Sequence, residues 1–253
     1  IVACEVDFDS LAFRAFQRFI KKYNKKYDSM NEYLARFQAF RQNLNKLAEN
    51  GPQTYKTGIT KFADMTQQEF AKTYLNLNFN AFALLNLNPV KVKVTNAAPD
   101  AFDWRDKNVV SAVKDQGSCG SCWAFSTIAN LEGLYALEKG VVKTFSEQLL
   151  VDCDTLDSGC NGGLMELSFE WLKDNGGFMY ESDYPYTGKQ QTCKQDSSKF
   201  VDMKVTGYVK LGDGGAEEFS PVDEGEMKEF LYQTGPLAIA LNATPLQLYT
   251  GGI

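Results

Sequence analysis

The chain has 253 residues, a length that allows one large domain or two smaller ones. Its net charge of −6 argues against nucleic acid as a main partner, and no stretch approaches the roughly 20 consecutive apolar residues of a membrane-spanning helix. The chain contains no histidine, which excludes a histidine-based metal site or general base within these residues.

The first part of the chain predicts a helical region. Apolar residues recur every three or four positions through residues 7–49, which predicts two helices. Two capping-box signatures are present: Ser29-x-x-Glu32 precedes the second helix, and Thr66-x-x-Glu69 opens a short helix that runs to about residue 75. Between them, the run 54–62 has the character of a strand.

Residues 76–96 differ from the segments on either side. They are rich in asparagine, contain Pro89 and alternate Val with Lys over 90–94, which favours an extended linker, although an edge strand would show the same pattern. Residues 1–96 carry a net charge of +6, and residues 97–253 carry −12. This asymmetry favours docking of the first part on the second. The alternative is that the two parts simply have different surfaces.

The second part predicts further helices separated by loops. The helical stretches are 122–138, 147–152, 165–175 and a segment from Asp223 to about Tyr232. Gly176-Gly177 ends the third of these, in the manner typical of helix C-termini. An acidic, glycine-rich surface loop is predicted over 211–225, and a strand over Leu237–Leu241.

The cysteine pattern indicates disulfides and a reactive thiol. The six cysteines are Cys4, Cys119, Cys122, Cys153, Cys160 and Cys193. Five of them fall within 75 residues, a density that is typical of chains from oxidising compartments. Because five is odd, at least one thiol of this group is expected to be free.

The segment 116–126, Gln-Gly-Ser-Cys-Gly-Ser-Cys-Trp-Ala-Phe-Ser, carries the most specific chemical signal. It predicts a loop that enters a helix whose first turn holds Cys122. The partial positive charge and unpaired N–H groups of a helix N-terminus favour thiolate, the nucleophilic form of cysteine. The Gln116 amide and the Cys122 backbone N–H could together bind a developing oxyanion.

Three interpretations compete for the pair Cys119-x-x-Cys122. A redox pair is disfavoured because no βαβ pattern surrounds it. Half of a zinc site, completed by Cys153 and Cys160, is disfavoured because a second C-x-x-C is missing. The favoured interpretation is a structural Cys119 beside a reactive Cys122, since Cys-Gly-Ser-Cys-Trp is the local signature of papain and the cathepsins.

With these residues in view, the chain resembles a precursor of the papain family of cysteine proteases, nearly end to end. Glu32, Arg36, Phe40 and Asn43 have the spacing of the family's propeptide helix motif, although Leu47 and Gly51 depart from it. The second propeptide motif is similar to Gly58-x-Thr60-x-Phe62-x-Asp64, in the form with Thr that is typical of the cathepsin F group. Later landmarks that resemble the family are Asp103-Trp104-Arg105, Ser146 to Cys153, Cys160-Asn161-Gly162-Gly163 and Gln247 to Ile253.

The resemblance implies a role for each matching residue. Cys122 is the expected nucleophile and Gln116 the oxyanion donor. The implied disulfides join Cys119 to Cys160 and Cys153 to Cys193. The residues implied in substrate binding are Gly162 and Gly163, through the peptide main chain, and Leu164, Met165 and Ala240, through an apolar pocket for the residue second before the scissile bond. Plain core packing is the alternative for Leu164 and Met165.

The implied fold is an α+β papain-like fold with two lobes, the helical one present and the β-rich one incomplete, preceded by a helical propeptide. The expected domains are a propeptide inhibitor domain at 1–75, an extended linker at 76–96 and a peptidase domain at 97–253. The expected partners are peptide or protein substrates and the chain's own propeptide as an intramolecular inhibitor. No metal, cofactor, nucleic acid or membrane is expected, and the chain is expected to be a secreted or lysosomal monomer. Asn242 begins a glycosylation sequon, but Pro245 directly after the sequon disfavours its occupancy by a glycan.

The histidine and asparagine that complete the family's catalytic group are expected roughly 130–150 residues after the cysteine, and only 131 residues follow Cys122. We therefore expect a fragment of a protease zymogen that is inactive alone. The alternative is a catalytically silent binding module whose residues 1–96 inhibit related proteases.

Overall fold

The computed structural model describes residues 11–49, 51, 53–75, 95, 97–211 and 222–252. The chain divides into two compact units, residues 1–73 with 242–253 and residues 74–241. The architecture is α+β, as the sequence predicts, with several helices and one small antiparallel sheet. Of the predicted linker at 76–96, the structure describes only residue 95.

The first unit is built from helices and a two-stranded sheet. Its elements are α1 (Leu11–Tyr23), α2 (Met30–Glu49), β1 (Tyr55–Thr57), α3 (Gln67–Tyr74), a 3₁₀ helix (Thr244–Leu248) and β2 (Tyr249–Gly252). Strand β1 pairs with β2 in antiparallel register, with an irregularity between Lys56 and Thr57. Through this pairing the last twelve residues cluster with the first unit. The expected domain bounds of 1–75, 76–96 and 97–253 stay a prediction.

Aromatic rings form the core of the first unit. Phe16 is completely buried, and its ring centroid lies 5.2 to 6.0 Å from the centroids of five other rings. The five are Phe19, Tyr27, Tyr33, Phe37 and Phe40. Offset and edge-on ring pairs add about 0.5–1.5 kcal/mol each to the free energy of burial. The cluster therefore fixes how α1 packs on α2.

The capping boxes of the first unit differ in detail. Thr66 and Glu69 form the reciprocal pair that the motif predicts, at 3.2 Å and 2.8 Å. At α2 the Ser29 hydroxyl accepts from the Glu32 N–H at 3.1 Å, but the Glu32 carboxylate accepts from the Asp28 N–H, one residue earlier. Both arrangements satisfy N–H groups that would otherwise lack a partner at the start of the helix.

The second unit is helical with irregular connections. Its elements are α4 (Cys122–Lys139), α5 (Glu147–Cys153), α6 (Met165–Asn175), α7 (Glu224–Thr234) and two 3₁₀ helices (Trp104–Lys107 and Ser197–Lys199). Helix α4 packs against both α5 and α6. Its buried residues Trp123, Ile128 and Leu131 lie in the main apolar core. Two helix ends that the sequence predicts are observed. The Asp223 side chain accepts from the Glu226 N–H at the start of α7, and Gly176 ends α6 in the left-handed conformation.

Two strand predictions need correction. The predicted strand at 54–62 is limited to Tyr55–Thr57. The run Leu237–Leu241 does not form a strand. Its Ile239 instead forms backbone hydrogen bonds with one side chain, because the Ser126 hydroxyl accepts from the Ile239 N–H and donates to the Ile239 carbonyl, both at 3.1 Å. Of the predicted loop at 211–225, residues 212–221 lie outside the described residues.

Candidate active site

The thiol of Cys122 lies at the first residue of α4 and is the only free cysteine in the described part of the chain. It is half-buried. Burial raises the pKa of the Cys122 thiol, while the N–H groups of Trp123 and Cys122 lower it. The helix N-terminus therefore acts in the direction that the sequence predicts, but burial has the larger effect. Because burial has the larger effect, the protonated thiol is favoured.

A disulfide fixes the loop that leads into Cys122. Cys119 is joined to Cys160 with their Cα atoms 4.6 Å apart, and Cys153 is joined to Cys193 at 4.8 Å. These are the two pairs that the resemblance implies. Next to the first disulfide, the Gly120 N–H donates to the Cys160 carbonyl at 2.9 Å. The loop before the thiol is thus held against the segment that contains Gly162 and Gly163.

The side chain of Gln116 folds back on this loop. Its Nε2 donates to the Cys119 carbonyl at 2.9 Å and to the Tyr74 carbonyl at 3.4 Å. Both amide hydrogens therefore have acceptors in this structure. To serve as an oxyanion donor, as the sequence predicts, Gln116 would exchange at least the longer of these two hydrogen bonds for the oxyanion.

Tyr186 is a residue of this region that the sequence reasoning missed. Its hydroxyl donates to the Gln116 carbonyl at 2.7 Å and lies 2.6 Å from the Ser121 hydroxyl, directly before Cys122. Its ring meets Phe125 edge-on, with centroids 4.9 Å apart. Tyr186 therefore ties both ends of the 116–121 loop to the first turn of α4. No sequence spacing indicates a partner 65 residues away.

The Gly162-Gly163 segment is close-packed against Trp123. Gly162 has φ of +112°, and its carbonyl accepts from the Ser158 N–H at 2.9 Å. A Cβ at Gly163 would lie 2.5 Å from Asp157 Oδ1 and 2.6 Å from Trp123 Cδ2, so no side chain fits there. Only glycine allows the backbone to lie so close to the residue that follows Cys122.

The three residues expected to line an apolar pocket are in different environments. Leu164 is completely buried and Met165 is 8% exposed within the main core, whereas Ala240 is exposed. Met165 thus has the core packing that the sequence left open as an alternative. A shared pocket with Ala240 stays a prediction.

Beneath the glycine segment lies a pair of buried carboxyl groups. Asp157 accepts from the Leu164 N–H at 2.8 Å and from the Ser168 hydroxyl at 3.2 Å. Asp154 uses Oδ1 for the Leu156 N–H at 2.8 Å, while its Oδ2 is buried without a hydrogen-bond partner. Burial raises the pKa of both carboxyls, and the charge of Asp154 raises that of Asp157 further. The pair therefore retains a proton more readily than two ordinary aspartates.

A second buried acidic cluster lies between α4 and α5. Lys114 Nζ bridges Glu132 at 2.5 Å and Glu147 at 2.6 Å, and both carboxylates are almost fully buried. Glu132 also accepts from the Phe145 N–H at 2.9 Å. Burial raises the pKa of Glu147 to about 7, although the charge of Lys114 opposes this. One lysine between two buried acids leaves the cluster short of positive charge.

Two further findings bear on the kind of site. In the part of the chain that the structure describes, no group of three or more His, Cys, Asp or Glu residues is arranged to hold a metal ion. Among the same residues, every helix is too short or too polar to cross a bilayer.

Comparison with known families gives two matches. Residues 98–253 match the papain family cysteine protease domain, and residues 16–70 match the cathepsin propeptide inhibitor domain. Among curated proteins, the chain is 42% identical over 242 residues to cathepsin F of Drosophila melanogaster and 41% identical over 251 residues to cysteine proteinase 15A of Pisum sativum. Each match covers 94% of this chain, but only 38% and 66% of those relatives.

Solved structures give the same result. The chain superposes on digestive procathepsin L 3 of Tenebrio molitor with a TM-score of 0.81 and 36% identity, covering 97% of this chain and 78% of that one. For procathepsin L2 of the same insect the TM-score is 0.84 and the identity 31%, covering 96% and 79%.

Proposed function

Since the chain belongs to the papain family of cysteine proteases and carries its propeptide inhibitor domain, we propose that it is part of the zymogen of a cysteine endopeptidase. The observation that carries the proposal is the free Cys122 thiol at the N-terminus of α4, beside a loop held by a disulfide. The other described cysteines are consumed in disulfides, so Cys122 is the one available nucleophile among them.

In the proposed reaction the Cys122 thiolate attacks the carbonyl carbon of a peptide bond. The Gln116 amide and the Cys122 N–H stabilise the oxyanion, and collapse of this intermediate expels the amine and leaves an acyl group on Cys122. Water then hydrolyses the thioester. The reaction also needs a group that first removes the thiol proton as a general base and then, as its conjugate acid, protonates the leaving amine. The 253 residues contain no histidine to provide it.

The proposed substrates are peptides or proteins with a bulky apolar residue second before the scissile bond. This rests on the apolar character of Leu164, Met165 and Ala240 and on the glycine backbone at Gly162 and Gly163. Residues 16–70 are proposed to act as the intramolecular inhibitor, in a monomer. Two disulfides favour an oxidising compartment, so we propose secretion or a lysosomal location.

The test uses protein that contains this chain, isolated from its natural source. After removal of the propeptide it should cleave peptide amides with an apolar second residue, and alkylation of Cys122 should abolish the activity. The matched control is alkylation after the active site has been protected by a reversible peptide aldehyde, which should preserve activity. Cleavage that survives full modification of Cys122 would contradict the proposal.

The second candidate is a binding module that inhibits related cysteine proteases. It is favoured by the compact aromatic core of the first unit and by the inhibitor-domain match over 16–70. In this case the natural protein would lack peptidase activity at any pH but would inhibit an active relative at nanomolar concentration. No inhibition at micromolar concentration would exclude it.

A further inference from the structure

The Tyr186 hydroxyl is the middle member of a hydrogen-bond chain with a fixed direction. Its one hydrogen is donated to the Gln116 carbonyl at 2.7 Å, because a carbonyl can only accept. In the 2.6 Å contact between the two hydroxyls, Ser121 is therefore the donor and Tyr186 the acceptor. Burial raises the pKa of Tyr186, so its hydroxyl keeps the proton that it donates. The chain thus runs from Ser121 through Tyr186 to Gln116, and successive hydrogen bonds of this kind strengthen one another.

This hydrogen-bond chain joins the two ends of the 116–121 loop, where the two expected oxyanion donors lie. Gln116 supplies a side-chain amide at one end, and Ser121 directly precedes Cys122, whose N–H is the second donor. The Ser121 end is rigid, since its side chain is completely buried and its carbonyl accepts from the Phe125 N–H of α4 at 3.1 Å. The position of Cys122 is therefore set by α4.

The Gln116 end of the loop needs a restraint of its own. The disulfide between Cys119 and Cys160 fixes the middle of the loop, but it is attached three residues after Gln116. Gly117, the next residue after Gln116, has φ of +62° and borders open space, so no side chain packs the loop at this point. The hydrogen bond from Tyr186 to the Gln116 carbonyl supplies the restraint on the main chain.

A fixed main chain matters because the Gln116 amide has to move. Its Nε2 donates to the Cys119 carbonyl at 2.9 Å and to the Tyr74 carbonyl at 3.4 Å, and the longer bond is the one to be exchanged for an oxyanion. With its carbonyl held, Gln116 makes this exchange by rotation of the side chain alone. A donor that is positioned in advance stabilises developing charge without reorganisation during the reaction.

We propose that Tyr186 is a positioning residue of the oxyanion site, which holds the Gln116 main chain against Ser121 and so sets the distance between the Gln116 amide and the Cys122 N–H. The inference rests on the proposed function as a cysteine peptidase. Tyr186 acts through Gln116 and not on the substrate. Its effect should therefore appear when negative charge develops on the substrate oxygen, and binding of the uncharged substrate should be unaffected.

The experiment compares variants of the natural protein that contains this chain, after removal of the propeptide. Tyr186→Phe deletes the hydroxyl and keeps the ring, which packs edge-on against Phe125. We expect kcat for a peptide amide to fall about tenfold or more, yet less than the roughly 100- to 1,000-fold that loss of an oxyanion donor costs. KM should change by less than about twofold, because ground-state binding is retained.

The neighbouring Tyr184 provides the matched control. Its hydroxyl also makes two hydrogen bonds, donating to Asp152 at 2.9 Å and accepting from the Lys194 N–H at 3.0 Å, but neither partner belongs to the 116–121 loop. Tyr184→Phe should leave both kcat and KM within about twofold of the parent values.

A second comparison distinguishes positioning from general support of the fold. In a Gln116→Ala background the amide is absent, so adding Tyr186→Phe should lower kcat by less than about twofold. A purely structural role would lower kcat by the same factor in the parent and in the Gln116→Ala background.

The inference would be overturned by an unchanged kcat in Tyr186→Phe, by a loss that appears in KM alone, or by equal factors in the two backgrounds. If Tyr186→Phe does not fold, Ser121→Ala removes the donor to the Tyr186 hydroxyl and should lower kcat at constant KM; an unchanged kcat there would also overturn it. An inactive parent would overturn the proposed function and this inference together. An active parent with a fully active Tyr186→Phe variant would overturn this inference alone.

Discussion

The two units bury different kinds of groups. The first packs a cluster of aromatic rings between two helices, and its buried Asp64 is neutralised by Lys25 at 2.9 Å. The second has a larger apolar core and two disulfides, but it also buries the Asp154–Asp157 pair and the Lys114 cluster with more acid than base. The first unit therefore depends on ring packing, and the second also depends on cross-links and protonation.

The aromatic core should be the most sensitive part of the first unit. Phe40→Ala removes a completely buried ring from the cluster and should lower the free energy of unfolding by about 3–5 kcal/mol. Chemical denaturation followed by circular dichroism measures this. The control is Met30→Ala at the start of the same helix, where the side chain is 69% exposed and the loss should be under about 0.5 kcal/mol. Equal losses in the two variants would show that the ring cluster is not the core.

The disulfides should contribute to the stability of the second unit only. Replacing Cys153 and Cys193 together by alanine removes a disulfide that closes a 40-residue separation and should cost about 2–4 kcal/mol. Hydrogen exchange resolved by peptide would locate the loss. Protection should fall in α4 and α5 and stay constant in α1 and α2, whereas a uniform loss would refute the contrast between the units.

The next largest difference between the units should be the dependence of their stability on pH. Because burial raises the pKa of Glu147 to about 7, the folded state binds this proton more tightly than the unfolded state. Its contribution is complete below the unfolded value near 4.5 and is lost as the pH rises through about 7, so the second unit should be more stable at pH 5 than at pH 8. The raised pKa values of Asp154 and Asp157 act in the same direction.

The variant Glu147→Gln, which keeps the shape of the protonated acid, should reduce this pH dependence by about 2–3 kcal/mol. Glu138→Gln is the matched control, because Glu138 is 59% exposed and pairs only with surface groups. Denaturant titration of the variants at pH 5 and pH 8 measures the difference. An undiminished pH slope in Glu147→Gln would assign the effect to other groups.

The smallest effect is expected at Cys122 itself. Its alkylation by iodoacetamide in the folded chain should reach half of its maximal rate at a higher pH than in the same chain unfolded in urea, because burial raises the pKa of the folded thiol. A lower midpoint in the folded chain would mean that the helix N-terminus outweighs burial.

Local signals in the sequence predicted much of this structure. The capping motifs at Thr66 and Asp223 place the starts of α3 and α7 correctly, since the residues that form a cap are three positions apart. The run Leu237–Leu241 was interpreted wrongly as a strand, because an apolar segment does not reveal whether a neighbouring strand pairs with it. Here a single side chain, Ser126, takes its backbone hydrogen bonds at Ile239.

The candidate site shows the same limit. Cys122 and Gln116 were evident from a contiguous motif. Tyr186 was not, because its hydroxyl partners Ser121 and Gln116 lie 65 and 70 residues away. The Asp154–Asp157 pair was not predicted, because its raised pKa values come from burial and from the charge of Asp154 beside Asp157.

The proposed function depends most on Cys122 as the nucleophile of a peptide-cleaving enzyme. The most direct measurement is active-site trapping of the natural protein with an electrophilic peptide that carries leucine second before the reactive carbon, read by intact mass and peptide mapping. We expect one equivalent to attach to Cys122, with loss of peptidase activity in proportion. Attachment that is slow and no faster than that of a non-peptide electrophile, or attachment elsewhere with loss of activity, would contradict the account.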